Sequence, residues 1–258
     1  MSRPSLLPRV RLHRPGLDVL TALCVVFILV QVVVTSLGGV AKVGESGFYE
    51  IVGLRRPGLL DGQVWQLVTH PFVHAGWLHL MFNWLIVFLI GGRVHQILGG
   101  RACLKIFFGG VLAGSLLHLL FHPKFPLGEL GPSGELAAWP PLVGASAGAM
   151  ALLLALTSLS PDSRMWPLMV SGKNLGRGLL AASLILFALT PGLNLPVLSF
   201  IGSWLVKHAG SEALFQIGHI YHFGGGLVGM LYVRRLLRSP VSLQKLQRAR
   251  ERREGVAT

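Results

Sequence analysis

Leu142-Val-Gly-Ala-Ser-Ala-Gly-Ala-Met-Ala-Leu-Leu-Leu-Ala-Leu156 sets a serine between glycines, Gly144-Ala-Ser146-Ala-Gly148, and then runs on without a charge. A serine in a G-x-S-x-G pattern reads as a hydrolase nucleophile on a sharp strand-to-helix turn. That turn needs a strand before it, yet "AAWPPLV" precedes this one and long apolar runs surround it. The serine therefore stands at the start of an apolar helix, and its surroundings decide what it does there.

Those surroundings are a membrane protein's. The chain of 258 residues is 52% hydrophobic and only 13% charged, and its mean hydropathy is +0.62. Cys24 and Cys103 both fall inside apolar runs, which suggests neither a disulfide framework nor a zinc site. The formal charge of +13 does not point to nucleic acid. The basic residues bunch at the ends and between apolar runs, without the interleaved aromatic residues of a base-stacking surface.

Six apolar stretches are candidates to span a hydrocarbon core, each needing about 20 residues if helical. They run over 17–40, 78–98, 102–121, 142–159, 179–195 and 214–236. Pro191, Gly192 and Pro196 interrupt the fifth. The first is too long for a secretory signal and is followed by no clear small-residue cleavage site, so it reads as a retained span. The expected fold class is an all-α membrane protein, a six-transmembrane-helix bundle over 17–238, with basic segments at 1–16 and 239–258.

Charge orients that bundle, because Lys and Arg near membrane spans favour the cytoplasm. Arg3, Arg9, Arg11 and Arg14 precede the first span, and the tail holds Arg234, Arg235, Arg238, Lys245 and Arg248 among others. Arg93, Arg101 and Lys105 flank one inner turn and Arg164, Lys173 and Arg177 another. Outer loops balance their few bases with Glu45, Glu50, Asp61, Glu129, Glu135 and Glu212. Both termini are expected inside, in an integral multi-pass protein of a bacterial plasma membrane.

Polar residues within apolar spans are costly, so they mark function or inter-helix hydrogen bonds. His79 and Asn83 lie four residues apart, on one face of the second span. On the sixth, His219 and His222 precede Gly224, Gly225, Gly226 and Gly229. Glycines at these spacings admit a second helix backbone, and the fourth span, lined by Gly144, Ala147, Gly148 and Ala151, is the natural partner. Helix packing through Gly144, Gly148, Gly225 and Gly229 would bring Ser146 to His222, a nucleophile to a base. His79, Asn83 and the Ser146 backbone N–H would then be donors to an oxyanion. Zinc held by His79, His219 and His222 is the weaker alternative, since no convincing carboxylate or thiolate completes the set. No metal or other cofactor is called for.

With "WQLVTHPFVHAGWLHLMFNW", "GASAG" and "HFGGGLVG" in that order on the second, fourth and sixth spans, the chain resembles the rhomboid family of intramembrane serine proteases. The resemblance runs from about Gln63 to Tyr232. It implies Ser146 as nucleophile, His222 as general base, His79 and Asn83 as oxyanion donors, and His74 as a recurring histidine before the second span. It also implies single-span membrane proteins as substrates, cut near the outer boundary at small residues in a locally unwound helix. Four positions depart from the family pattern. Ala147 stands for a glycine, Gln66 for an arginine, His95 for a glutamate, and Met150 for an aromatic residue.

Two other functions fit parts of the pattern. An α/β-hydrolase triad would take Glu212 as its acid, in the order Ser146, Glu212, His222, but requires alternating strands and helices. A non-catalytic rhomboid-like binder of transmembrane helices would need neither Ser146 nor His222, and both are present.

Overall fold

A computed structural model describes residues 18–121, 141–165, 167–193, 195–210, 212–215 and 217–238. The basic segments 1–16 and 239–258, with Glu129 and Glu135, lie outside the described residues, and so do the ends whose side of the membrane the charges were read to fix.

Helix α1 (Val19–Ser36) starts where the Asp18 carboxylate accepts the N–H groups of Leu20 and Thr21, both at 2.9 Å. Its buried residues, Leu20, Leu23, Cys24, Phe27, Gln31 and Val34, make one stripe at helical spacing. Val25, Leu29, Val32 and Val33 on the other side are exposed. That outward apolar surface would be intolerable in water and is what a lipid solvent demands.

Between α1 and the next long helix the chain forms short helices, Gly39–Glu45, Phe48–Val52, Arg56–Leu60 and Gln66–Thr69, and a single 3₁₀ turn, His70–Phe72. Gln66, standing where the family has arginine, is fully buried. Its amide donates to the Glu50 carbonyl at 2.8 Å and to Gln63 Oε1 at 2.7 Å, and accepts the Arg55 N–H at 3.0 Å. Thr69 Oγ1 donates to the Val52 carbonyl at 2.7 Å, and Arg56 donates to the carbonyl of Leu119. This lobe is thus hydrogen-bonded to itself and to the bundle.

Helix α2 (Trp77–Leu98) contains one π-helical turn at Ile86–Ile90, and α3 is Gly100–Phe121. With α1, these are the helices long and apolar enough to cross a membrane among the described residues. Helix α4 (Ser146–Leu159) is shorter and apolar, and is buried on nearly every side through Ala147, Gly148, Ala149, Ala151, Leu152, Leu154 and Ala155. Such all-round burial marks the central helix of a bundle. Helix α5 (Gly172–Ala188) follows a two-residue antiparallel hairpin pairing Arg164 with Ser171 and Met165 with Val170. The last helix among the described residues, α7 (His219–Leu237), packs most heavily on α4 and α3.

Several boundaries differ from the sequence expectation. The fourth helix begins at Ser146 rather than Leu142, because Leu142 is extended and exchanges backbone hydrogen bonds with Leu54 at 2.9 and 3.1 Å. The fifth covers Gly172–Ala188, since Gly172 and Gly176 are buried against α4 and the helix stops before Pro191. The apolar residues beyond Pro191 form a separate helix, α6 (Pro196–Ala209), joined to the end of α5 where the Ser199 hydroxyl donates to the Thr190 carbonyl at 3.3 Å. Leu214 falls in the turn Glu212–Phe215, before α7. The short strands among the described residues, with the isolated Leu54–Leu142 bridge, leave no parallel sheet for an α/β-hydrolase elbow.

Candidate active site

Ser146 is the first residue of α4, so no carbonyl of an earlier helical turn accepts its backbone N–H. Gly144, two residues before it, turns the chain at φ +108°, a conformation open to glycine and costly for any other residue. A side chain at Gly144 would also strike the His79 ring, 2.6 Å from Cε1. The turn is therefore built around glycine so that nucleophile and ring can sit together.

Across from it, His222 Nε2 lies 2.7 Å from Ser146 Oγ. The two come from residues 76 apart in sequence, brought together because α4 and α7 nearly touch. A methyl on Gly225 would collide with the backbone of Ala147, and one on Gly229 with that of Ala151. Gly144 and Gly148 act otherwise than expected: Gly144 precedes the helix, and Gly148 lies under the Phe107 ring of α3 rather than against α7. Ala147, in place of the family glycine, also borders Gly114 of α3.

His79 accepts the Ala75 backbone N–H at Nδ1, 3.3 Å away. In the neutral ring the proton is then on Nε2, the nitrogen left to donate. Asn83 commits one amide hydrogen to the His79 carbonyl at 2.9 Å and keeps a second. His79, Asn83, Ser146 and His222 line one cavity of about 640 Å³, with Met150 on its wall. This set can pass a proton from Ser146 to His222 and offer donors to a carbonyl oxygen, which is the chemistry of acyl transfer.

The other singled-out residues lie elsewhere. His219 Nε2–H donates to the Leu214 carbonyl at 2.8 Å, a helix-end contact. No three potential ligands gather around a metal position among the described residues. His74 is fully buried, edge-on to Phe27 and His79 with ring centroids at 5.4 and 5.2 Å. Burial, then His79 beside it, lowers its pKa to about 3. His95 Nδ1 lies 3.9 Å from the Asp18 carboxylate, joining α2 to the start of α1.

The Rhomboid domain model matches residues 61–239, which hold the whole of this site. The chain belongs to the rhomboid family. This rhomboid is 29% identical over 102 residues to rhomboid-like protein 16, chloroplastic, of Arabidopsis thaliana, covering 33% of its own chain and 32% of the relative. It is 32% identical over 59 residues to the putative rhomboid protease YdcA of Bacillus subtilis, 23% of its own chain and 30% of that one. To the rhomboid protease GluP of the same bacterium it is 30% identical over 73 residues, 28% of its own chain and 14% of that one. The matches span about a third or less of these relatives. Since plant and human proteins also match, the likeness places this rhomboid in a membrane without selecting the bacterial plasma membrane expected above.

Three residues of this rhomboid's site were not singled out from the sequence. Tyr221 precedes His222 on α7 and is the largest fully buried side chain among the described residues. Its hydroxyl donates to the Gly144 carbonyl at 3.0 Å and lies 3.1 Å from His70 Nε2. Ser115 of α3 stands 3.3 Å from the same His70 nitrogen. The available signal was a hydroxyl beside the base on an apolar helix, which must find a partner.

Proposed function

We propose that this rhomboid is an intramembrane serine endopeptidase with a Ser146–His222 dyad. The observation that carries the reading is the 2.7 Å contact between Ser146 Oγ and His222 Nε2 inside a cavity that also holds His79 and Asn83. Ser146 attacks the scissile carbonyl while His222 takes its proton, then returns it to the leaving amine; water repeats the cycle on the acyl-enzyme. His79 Nε2–H, the second Asn83 N–H and the Ser146 backbone N–H receive the oxyanion. In this reading Ser146 and His222 work as a dyad, without an acid. The relatives named as proteases favour cleavage over mere binding of helices.

Six spans with both ends in the cytoplasm fit the charge pattern and put Ser146 at the outer end of α4. Substrates are then single-span membrane proteins cut near the outer boundary, where a locally unwound helix frees the carbonyls its own hydrogen bonds would hide. The test incubates protein purified in detergent with a single-span substrate and with a fluorophosphonate. Cleavage and labelling that vanish in Ser146→Ala support the reading; a wild-type protein that folds, binds the helix and does neither is a non-catalytic binder.

A further inference from the structure

Gly144 is held by both of its backbone groups. Its N–H donates to the His70 carbonyl at 2.9 Å, and its carbonyl accepts the Tyr221 hydroxyl. The proton inventory fixes how the surrounding groups share their bonds. His70 Nδ1 is 2.7 Å from the Gln66 carbonyl, so the ring proton sits there and Nε2 is an acceptor. Burial lowers the His70 pKa to about 4, which keeps the ring neutral near pH 7. Tyr221 has one proton and two acceptors in reach, the Gly144 carbonyl and His70 Nε2. Ser115 also has one proton and two acceptors, His70 Nε2 at 3.3 Å and the Val111 carbonyl at 2.8 Å. Val111 already has the helix to serve its carbonyl, whereas His70 Nε2 and Gly144 O do not. The arrangement that leaves no buried acceptor empty has Ser115 donating to His70 and Tyr221 donating to Gly144.

We propose that Tyr221 is a positioning residue for the nucleophile: its hydroxyl fastens the turn that presents Ser146 to the helix that carries His222. The neighbouring residue on α7 is the base itself, so one helix holds both ends of the proton transfer. Ser115 acts through His70 by occupying the competing acceptor, which leaves the tyrosine proton to Gly144. The proposal rests on the protease reading, and its effect falls on the chemical step rather than on substrate binding, because neither Gly144 O nor His70 accepts anything from the substrate in that reading.

The experiment compares wild type, Tyr221→Phe, Ser115→Ala and Tyr232→Phe in detergent, measuring kcat and KM on a single-span substrate and titrating active sites with fluorophosphonate. Tyr221→Phe keeps the ring and removes the hydroxyl; kcat per titrated site should fall on the order of tenfold, the size of one or two lost buried hydrogen bonds, with KM within about twofold. Ser115→Ala should lower kcat in the same direction, since Tyr221 then turns to His70. Tyr232→Phe, elsewhere on the same helix, should match wild type. Wild-type kcat in Tyr221→Phe, or a raised KM at unchanged kcat, overturns the proposal. Should Tyr221→Phe not fold, Ser115→Ala decides: a lowered kcat supports the clamp and an unchanged one rejects it. A wild type that neither cleaves nor labels overturns the protease reading instead.

Discussion

Gly225 lies so close to the backbone of Ala147 that a methyl group on it would run into the Ala147 carbonyl oxygen. One turn on, Gly229 stands in the same relation to Ala151. Ser146 and His222 flank this contact, so the separation of α4 and α7 is also the separation of nucleophile and base. Gly225→Ala should cost about 1–3 kcal/mol as overpacking, and Gly225→Val more. Thermal midpoint and turnover, measured together, should fall in the order glycine, alanine, valine; a valine variant with wild-type turnover would separate helix spacing from the site.

Ser146→Ala and His222→Ala should each reduce cleavage by several orders of magnitude, and the double variant by no more than either alone, because the two act as a unit. His219→Ala should be far milder, since its ring bonds the Leu214 carbonyl. Rate constants from long incubations of the four proteins check this. An active His222→Ala beside a dead His219→Ala would exchange the roles of the two histidines.

Asn83→Ala should lower kcat by roughly 100-fold while leaving KM nearly unchanged, as expected for a donor most valuable after the carbonyl becomes tetrahedral. The same substitution also removes the bond to the His79 carbonyl. Thermal stability is therefore measured in parallel, and a raised KM at constant kcat would mark Asn83 as a packing or binding residue.

Acid should destabilise the lobe between α1 and α2. Burial holds the pKa of His70 down to about 4 and that of His74 to about 3, from an ordinary value near 6.5. The unfolded chain takes up these protons as pH drops below about 6.5, while the folded chain refuses them until about 4 and 3. Their contribution is complete above about pH 6.5 and is lost progressively toward pH 4 and 3. The thermal midpoint of wild type should fall over this range, and less steeply in His70→Asn; equal slopes would remove His70 from the account.

Much of this rhomboid was legible locally. Apolar runs located α2 and α3 to within two residues, because helix length and composition are properties of a single segment. Ser146, His222, His79 and Asn83 stood out because a polar group in an apolar run costs free energy unless it has a purpose. Where a run met proline or a partner elsewhere in the chain, the reading slipped. Leu142 was drawn from the fourth helix into pairing with Leu54, and the residues after Pro191 became α6.

By itself the sequence determined that the chain is a helical membrane protein and which polar residues its apolar segments carry, since each follows from hydropathy, spacing and motif order within short windows. Only the tertiary structure decided that Gly148 faces Phe107 instead of α7, that His79 keeps its proton on Nε2, and that Tyr221 reaches Gly144. Those outcomes depend on pairs such as Tyr221 and Gly144, 77 residues apart. Their distance is set by how closely whole helices approach, and the direction of each hydrogen bond by which buried acceptor would otherwise go without a donor.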